Sequence, residues 1–254
     1  MCLINFHIHD HPTYKLIIAA NRDEFYERPT AEAHFWDDKN TILAGRDLRQ
    51  MGTWLGVSKQ GRIAALTNIR DPQQNEMNKT SRGEIVSNYL ASSLSPEEYL
   101  ERLHAQHDQY NGFNILVGDQ EQLYHYNNLN KQMTRIPHGT HGVSNHLLNT
   151  PWPKVIKGKE LLHQYVSSRE ILDINDLFEI LANQLKANDI DLPETGVGIE
   201  LERELSPLFI KTESYGTRSS TVVLVDKNDK LTFAERTYDH GQIKGEQRFS
   251  FQIQ

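Results

Sequence analysis

Short apolar runs separated by clusters of turn-forming residues recur along the chain, and their length and spacing predict strands. Leu3–His7 and Lys15–Ala20 flank His9-Asp10-His11-Pro12-Thr13, where Asp and Pro favour a turn, so the N-terminus predicts a hairpin. Trp54–Val57 and Arg62–Leu66 flank Ser58-Lys59-Gln60-Gly61, a second hairpin with glycine where positive φ is tolerated. Further strands are predicted at Phe113–Val117, Gln122–Tyr126, Ser220–Val225, Leu231–Thr237 and Arg248–Ile253. Two helical blocks interrupt them. Ser81–Ser93 has Ser81 and Glu84 at capping-box spacing, and Ser95–His104 opens with Ser-Pro-Glu-Glu, a proline at the first helical position with acids on the positive dipole end. Pro153–Val166 and Asn175–Ala187 carry apolar residues three and four apart.

The hairpins imply antiparallel pairing, and the number of strands implies two sheets packed face to face with the helical blocks outside. The expected fold is therefore α+β, a four-layer α-β-β-α sandwich of two mainly antiparallel sheets. There is no internal repeat or low-complexity linker, so residues 1–254 are expected to form one domain.

Composition narrows the setting. A single cysteine excludes an internal disulfide and suits a reducing compartment. The net charge of -7 argues against nucleic acid as a partner. No apolar run approaches the ~18 residues of a membrane span, so no stable membrane insertion is expected. The first residues are too interrupted by His and Asp for a signal-peptide core, so a cytoplasmic or organelle-matrix location is expected. The sequence implies no cofactor or metal, and it leaves the oligomeric state open.

The candidate chemistry centres on Cys2. Aminopeptidases generally remove Met1 when a small residue follows, which would leave a thiol and a free α-amine on one residue. With ordinary pKa values near ~7.7–8.0 for the amine and ~8.5 for the thiol, part of the amine is unprotonated near neutrality and can take the thiol proton. The ordinary alternative is a small residue chosen for translation initiation, with its thiol simply buried. Asn21-Arg22-Asp23-Glu24 follows the apolar run Leu16–Ala20 and reads as a polar strand end, a place where sites are often built. In a hairpin residue 2 would lie opposite the neighbourhood of residues 20–23, letting Asp23 hold the α-ammonium or orient the thiol; a polar loop with a structural ion pair is the alternative. Asn68, Asn145 and Arg218 also stand beside apolar strands. Asparagine amides suit an oxyanion, and arginine suits a carboxylate or developing negative charge. His7, His9 and His11 alternate and would share one face of an extended strand as metal ligands, although Asp10-His11-Pro12 reads as a turn. No P-loop or dinucleotide fingerprint occurs.

Cys2 with Asn21-Arg22-Asp23-Glu24-Phe25 and Arg28-Pro29 resembles the NRDE family, the relatives of transport and Golgi organization protein 2. The resemblance continues through Gly45-Arg46-Asp47, Gly52-Thr53-Trp54-Leu55-Gly56, Thr67-Asn68, Ser81-Arg82-Gly83, Tyr110-Asn111-Gly112-Phe113-Asn114, Gly142-Val143-Ser144-Asn145 and Tyr215-Gly216-Thr217-Arg218-Ser219. That family is distantly similar to the N-terminal-nucleophile hydrolases of the penicillin V acylase and bile-salt hydrolase branch. The resemblance implies the same sandwich, with Cys2 as nucleophile and Asp23 as partner of its amine. Asn145 and Asn68 would hold the oxyanion and Arg218 would support the site. Asn21, Arg22 and Glu24 are candidate lining residues. In the hydrolase branch the arginine stands several residues before the aspartate, whereas Arg22 adjoins Asp23 and falls on the opposite strand face, so its entry into the pocket is left open. Two functions follow from the resemblance, each with a small-molecule substrate or ligand: hydrolysis of a non-peptide amide or an acyl ester or thioester, or carriage of haem or an acyl-CoA-like lipid, with Cys2 or His7 as a haem ligand.

Overall fold

The computed structural model describes residues 2–72, 76 and 78–254. In chain order its strands are β1 (Cys2–Ile8), β2 (Tyr14–Phe25), β3 (Thr30–Phe35), β4 (Ile42–Asp47), β5 (Leu55–Ser58), β6 (Ile63–Asn68), β7 (Phe113–Gly118), β8 (Leu123–Asn127), β9 (Gln132–Arg135), β10 (Gly139–Val143), β11 (Tyr215–Asp226), β12 (Lys230–Asp239) and β13 (Gln242–Gln252). One sheet has the order β10-β1-β2-β11-β12-β13 and the other β3-β4-β5-β6-β7-β8-β9. Every neighbouring pair is antiparallel.

Alternation along the strands builds the layers. Ile4, Phe6 and Ile8 of β1 and Leu16, Ile18 and Ala20 of β2 face inward, against Leu43, Leu55, Val57, Ile63 and Ala65 of the second sheet. The intervening Ile17 and Ala19, with Val222 and Leu224 of β11, pack under α3 (Pro153–Ser167) and α4 (Ile174–Leu181) through Leu162, Val166, Leu177, Phe178 and Leu181. On the far side α1 (Gly83–Ala91) and α2 (Pro96–Ala105) cover Ile115, Val117 and Tyr126 with Ile85, Val86, Leu100 and Leu103. The result is the expected α-β-β-α order. Each fully buried aliphatic side chain contributes about 1.5–3 kcal/mol, against ~0–1 kcal/mol for an exposed ion pair. Layer packing therefore holds the polar strand ends in place.

Several elements depart from the pattern reading. Helix α2 has the full capping box, Ser95 with Glu98, but α1 does not use Ser81 and Glu84. It starts at Gly83, and Glu84 instead accepts a 2.8 Å hydrogen bond from the Tyr110 hydroxyl. Gly83 is pressed so closely on Gly52 that a Cβ at Gly52 would lie 2.5 Å from the Gly83 carbonyl carbon. Helix α4 stops at Leu181, short of Ala187, because the Asn183 side chain turns back to accept from Leu185 N while its carbonyl accepts from Phe209 N. Strands β3, β4, β9 and β10 and the short helix α5 (Ile199–Glu204) were not predicted: β10 reads Gly-Thr-His-Gly-Val, poor in strand formers, and β9 is mostly exposed. Strand β13 begins at Gln242 rather than Arg248, since one of its faces is exposed along its length. Among the described residues no helix is long and apolar enough to cross a membrane.

Candidate active site

Strand β2 continues through Asn21-Arg22-Asp23-Glu24, so these residues form the centre of a sheet and are not a loop at a strand end. They stay extended because partners on both sides complete the ladder: Cys2 lies opposite Arg22 on β1, and Ser220, Ser219, Thr217 and Gly216 lie opposite Asn21, Arg22, Asp23 and Glu24 on β11. Alternation then sorts the four. Arg22 and Glu24 share the inward face with Cys2, whereas Asn21 and Asp23 face the helical layer.

At the inward face the two sheets part to leave a cavity of about 470 Å³. Cys2, Arg22, Asp23, Glu24, Asn68 and Arg218 border it; Asn21 and Asn145 do not. Arg22 thus enters the pocket, and Asp23 is the residue that turns its carboxylate to the outer layer. The guanidinium of Arg22 lies 3.8 Å from Glu24 and 3.7 Å from Asp47, loosely balanced and close to the thiol. Burial pushes the Cys2 thiol up and the Asp23 carboxylate adds to this, while the Arg22 charge and the Asp23 backbone N–H work against it.

Asn145 reaches Cys2 through register. Continuing the β1–β10 pairing beyond Ile4 and Val143 sets Asn145 opposite Cys2. The Ser144 hydroxyl lies 2.9 Å from the Cys2 carbonyl oxygen and 3.1 Å from Asn145 Oδ1. Asn145 is fully buried and donates to the Asn68 carbonyl at 2.8 Å, which ties β10 to the end of β6. Behind it, Thr67 donates to the Ser144 carbonyl, and Asn114 donates to Thr67 at 3.0 Å and to the His146 carbonyl at 2.8 Å. The Asn114 oxygen accepts from Asn127 at 2.7 Å and from His125 Nε2 at 2.9 Å. Burial holds His125 down at about 4, so the ring is neutral and donates from Nε2. The two sheets are therefore locked together beside the cysteine.

Asn21 is a tie between layers: its amide donates to the carbonyls of Leu181 and Leu208 at 2.9 and 2.8 Å and accepts from Ser220 at 2.6 Å. Arg218 donates from Nη1 to the carbonyls of Phe25, Tyr26 and Arg28, fixing the turn after β2. That turn presents Arg28, bound to Asp47 at 2.5 Å. His7, His9 and His11 do not converge: they bond to the Thr140 hydroxyl, the Glu121 carbonyl and the Arg169 carbonyl respectively.

The pattern reading missed four residues at or behind the site. Arg82 borders the cavity, donates to the Gly112 carbonyl at 3.0 Å, and is pulled down by burial while the Cys2 thiolate acts the other way. Its motif Ser81-Arg82-Gly83 was visible as a helix start and within the family resemblance, but neither gave Arg82 a role at the site. Glu235 of β12, buried at the cavity wall, accepts from Ala33 N at 2.7 Å and is raised to about 7 by burial. In the outer layer Asp23 Oδ1 accepts from Thr217 at 2.8 Å, and Lys154 of α3 stands 3.8 Å from Oδ2. Burial raises Asp23 against the Lys154 charge and lowers Lys154 to about 8. Arg70, the fourth, pairs with buried Glu202 next to them and lies 4.9 Å over Trp152.

The sequence profile described as Transport and Golgi organisation 2 matches residues 1–240. The mouse Transport and Golgi organization 2 homolog is 36% identical over 257 residues, covering 93% of each chain. Among solved structures, a mutant of the conjugated bile acid hydrolase of Clostridium perfringens superposes with a TM-score of 0.55 at 12% identity, over 100% of this chain and 97% of that one. An ortholog of N-acylethanolamine-hydrolyzing acid amidase from Caenorhabditis elegans superposes with a TM-score of 0.51 at 10% identity, over 88% and 92%. The structural likenesses establish an N-terminal-nucleophile hydrolase fold, and the match along the sequence establishes kinship: the chain belongs to the Transport and Golgi organisation 2 family.

Proposed function

We propose that the chain is an N-terminal-cysteine hydrolase of a non-peptide amide, acyl ester or thioester, with Cys2 as nucleophile after removal of Met1, which lies outside the described residues. The observation that carries this reading is the placement of Cys2: it borders the cavity on the inward face, and its register partner Arg22 is the chain neighbour of Asp23. A thiol raised by burial is not a resting thiolate, so attack requires a base within the site, and the α-amine of the same residue is that base.

In the proposed cycle the thiol proton passes to the α-amine as Sγ bonds to the substrate carbonyl carbon. The Asn68 amide, bordering the cavity, donates to the oxyanion, and Asn145 holds Asn68 by its carbonyl. Arg22 balances the negative charge that develops beside it. The ammonium then gives its proton to the leaving nitrogen, oxygen or sulfur as that bond to carbon breaks. Water next attacks the thioester, its proton returns to sulfur by way of the amine, and the acid leaves. The names of the two structural neighbours, a hydrolase of conjugated bile acids and an amidase of N-acylethanolamines, support amide-type chemistry.

Carriage of haem through His7 is not favoured: among the described residues no histidine borders the cavity, and His7 bonds to Thr140 at 2.7 Å. A panel of amides, acyl esters and thioesters, run against the native protein and Cys2→Ala, tests the hydrolase reading. Turnover by the native protein and its loss in Cys2→Ala are expected; normal turnover by the variant would sink it.

A further inference from the structure

Lys154 is 2% exposed, and its Nζ has no hydrogen-bond partner among the described residues. Lysine is almost never buried unless paired. This one also sits in the first turn of α3, where the helix dipole disfavours a cation. The one opposite charge within 4 Å among the described residues is the Asp23 carboxylate, at 3.8 Å. An ion pair selected for stability closes to about 2.7–2.9 Å, and this one stays open. The other groups facing the place are Arg70, which pairs with Glu202 and also acts on Asp23, the Tyr215 hydroxyl donating to the Asp23 carbonyl at 2.9 Å, and Thr217 on Asp23 Oδ1. Asp23 adjoins Arg22, the register partner of Cys2, and the Lys154 charge acts on Cys2 as well as on Asp23.

We propose that Lys154 is a positioning residue for the α-amine of Cys2: its ammonium, behind Asp23, offsets the carboxylate, so that the amine is held by Asp23 yet keeps its base form. This rests on the hydrolase reading above. Without Lys154 the buried Asp23 carboxylate would lose the largest charge that offsets it, so the ammonium would persist to higher pH. The depressed proton affinity of Lys154, about 8, is the same burial felt from the other side.

The test is the pH–rate profile for alkylation of Cys2 by iodoacetamide, on native protein whose mass shows Met1 removed. In Lys154→Met, similar in volume but neutral, the acidic limb is expected to move up by about one pH unit, as expected for loss of a nearby charge. The plateau at high pH should be unchanged, and Lys154→Arg should restore the limb. An unchanged limb in a folded Lys154→Met overturns the inference while leaving the hydrolase reading intact. A native protein with no acidic limb at all removes both. Should Lys154→Met not fold, NMR of lysine Cε in the native chain decides: Lys154 must be charged where the rate rises, and a neutral Lys154 there overturns the inference.

Discussion

On its inward face β2 presents Arg22 and Glu24 to a cavity of about 470 Å³, while on its outward face Asn21 and Asp23 are closed over by α3, α4 and the segment after α5. Both faces carry charge, yet they treat it differently. Inward, the ion pairs of Arg22 are long, at 3.8 and 3.7 Å, and stand beside open space. Outward, the Lys154–Asp23 pair is as long, at 3.8 Å, but fully buried, the neighbouring Arg70–Glu202 pair is closed and buried, and each Asn21 amide group is bonded. A loose pair beside a cavity can be rearranged by a ligand, whereas a desolvated network resists change because breaking it strands a charge. One strand thus separates the surface that meets substrate from the framework that sets its electrostatics.

The sharpest way to break this comparison is to remove Arg70. Arg70→Met leaves Glu202 buried without its cation and is expected to cost about 3–5 kcal/mol in urea unfolding; a loss below ~1 kcal/mol, the size of an exposed pair, would erase the contrast. Next is the pH dependence contributed by Glu235. Its folded pKa, about 7, lies above the ordinary 4.5, so the fold favours the neutral carboxyl. The stabilisation is present below the ordinary value and is lost as pH rises through about 7, amounting to about 3 kcal/mol over that window. Glu235→Gln should flatten that part of the stability curve, and an unaltered curve would remove the assignment. Asn21→Ala, which loses two donated bonds and one accepted bond, is expected to destabilise by about 2 kcal/mol. The smallest stability effect, about 1 kcal/mol or less, is expected for Arg22→Met, because its pairs are loose. This variant should instead slow alkylation of Cys2, and a large loss of stability with unchanged alkylation would reverse the two faces.

The layers were legible because their causes are local. Apolar runs such as Leu16–Ala20 and Thr221–Val225 mark strands wherever their partners lie, and pairing the first two strands already brought residue 2 opposite the neighbourhood of residues 20–23. The continuation of β2 was not legible. Four polar residues look like a loop until Ser219, Ser220 and Thr217, nearly two hundred positions away, supply ladder partners and a bond to Asp23. Nor was Lys154: after Pro153 it reads as an exposed lysine opening a helix, and its burial depends on how α3 docks over β1 and β10 beside Asp23. Asn145 illustrates the same limit, since a turn-like asparagine became a buried tie between the sheets through bonds from β6 and β7.

The central claim is that Cys2, with its own α-amine as base, forms an acyl intermediate. Intact-mass spectrometry of native protein, acid-quenched after brief exposure to an activated acyl ester, tests it most directly. The account predicts a chain without Met1 bearing one acyl group at Cys2, absent from Cys2→Ala. A chain that keeps Met1, or an acyl group that persists in Cys2→Ala, would contradict it.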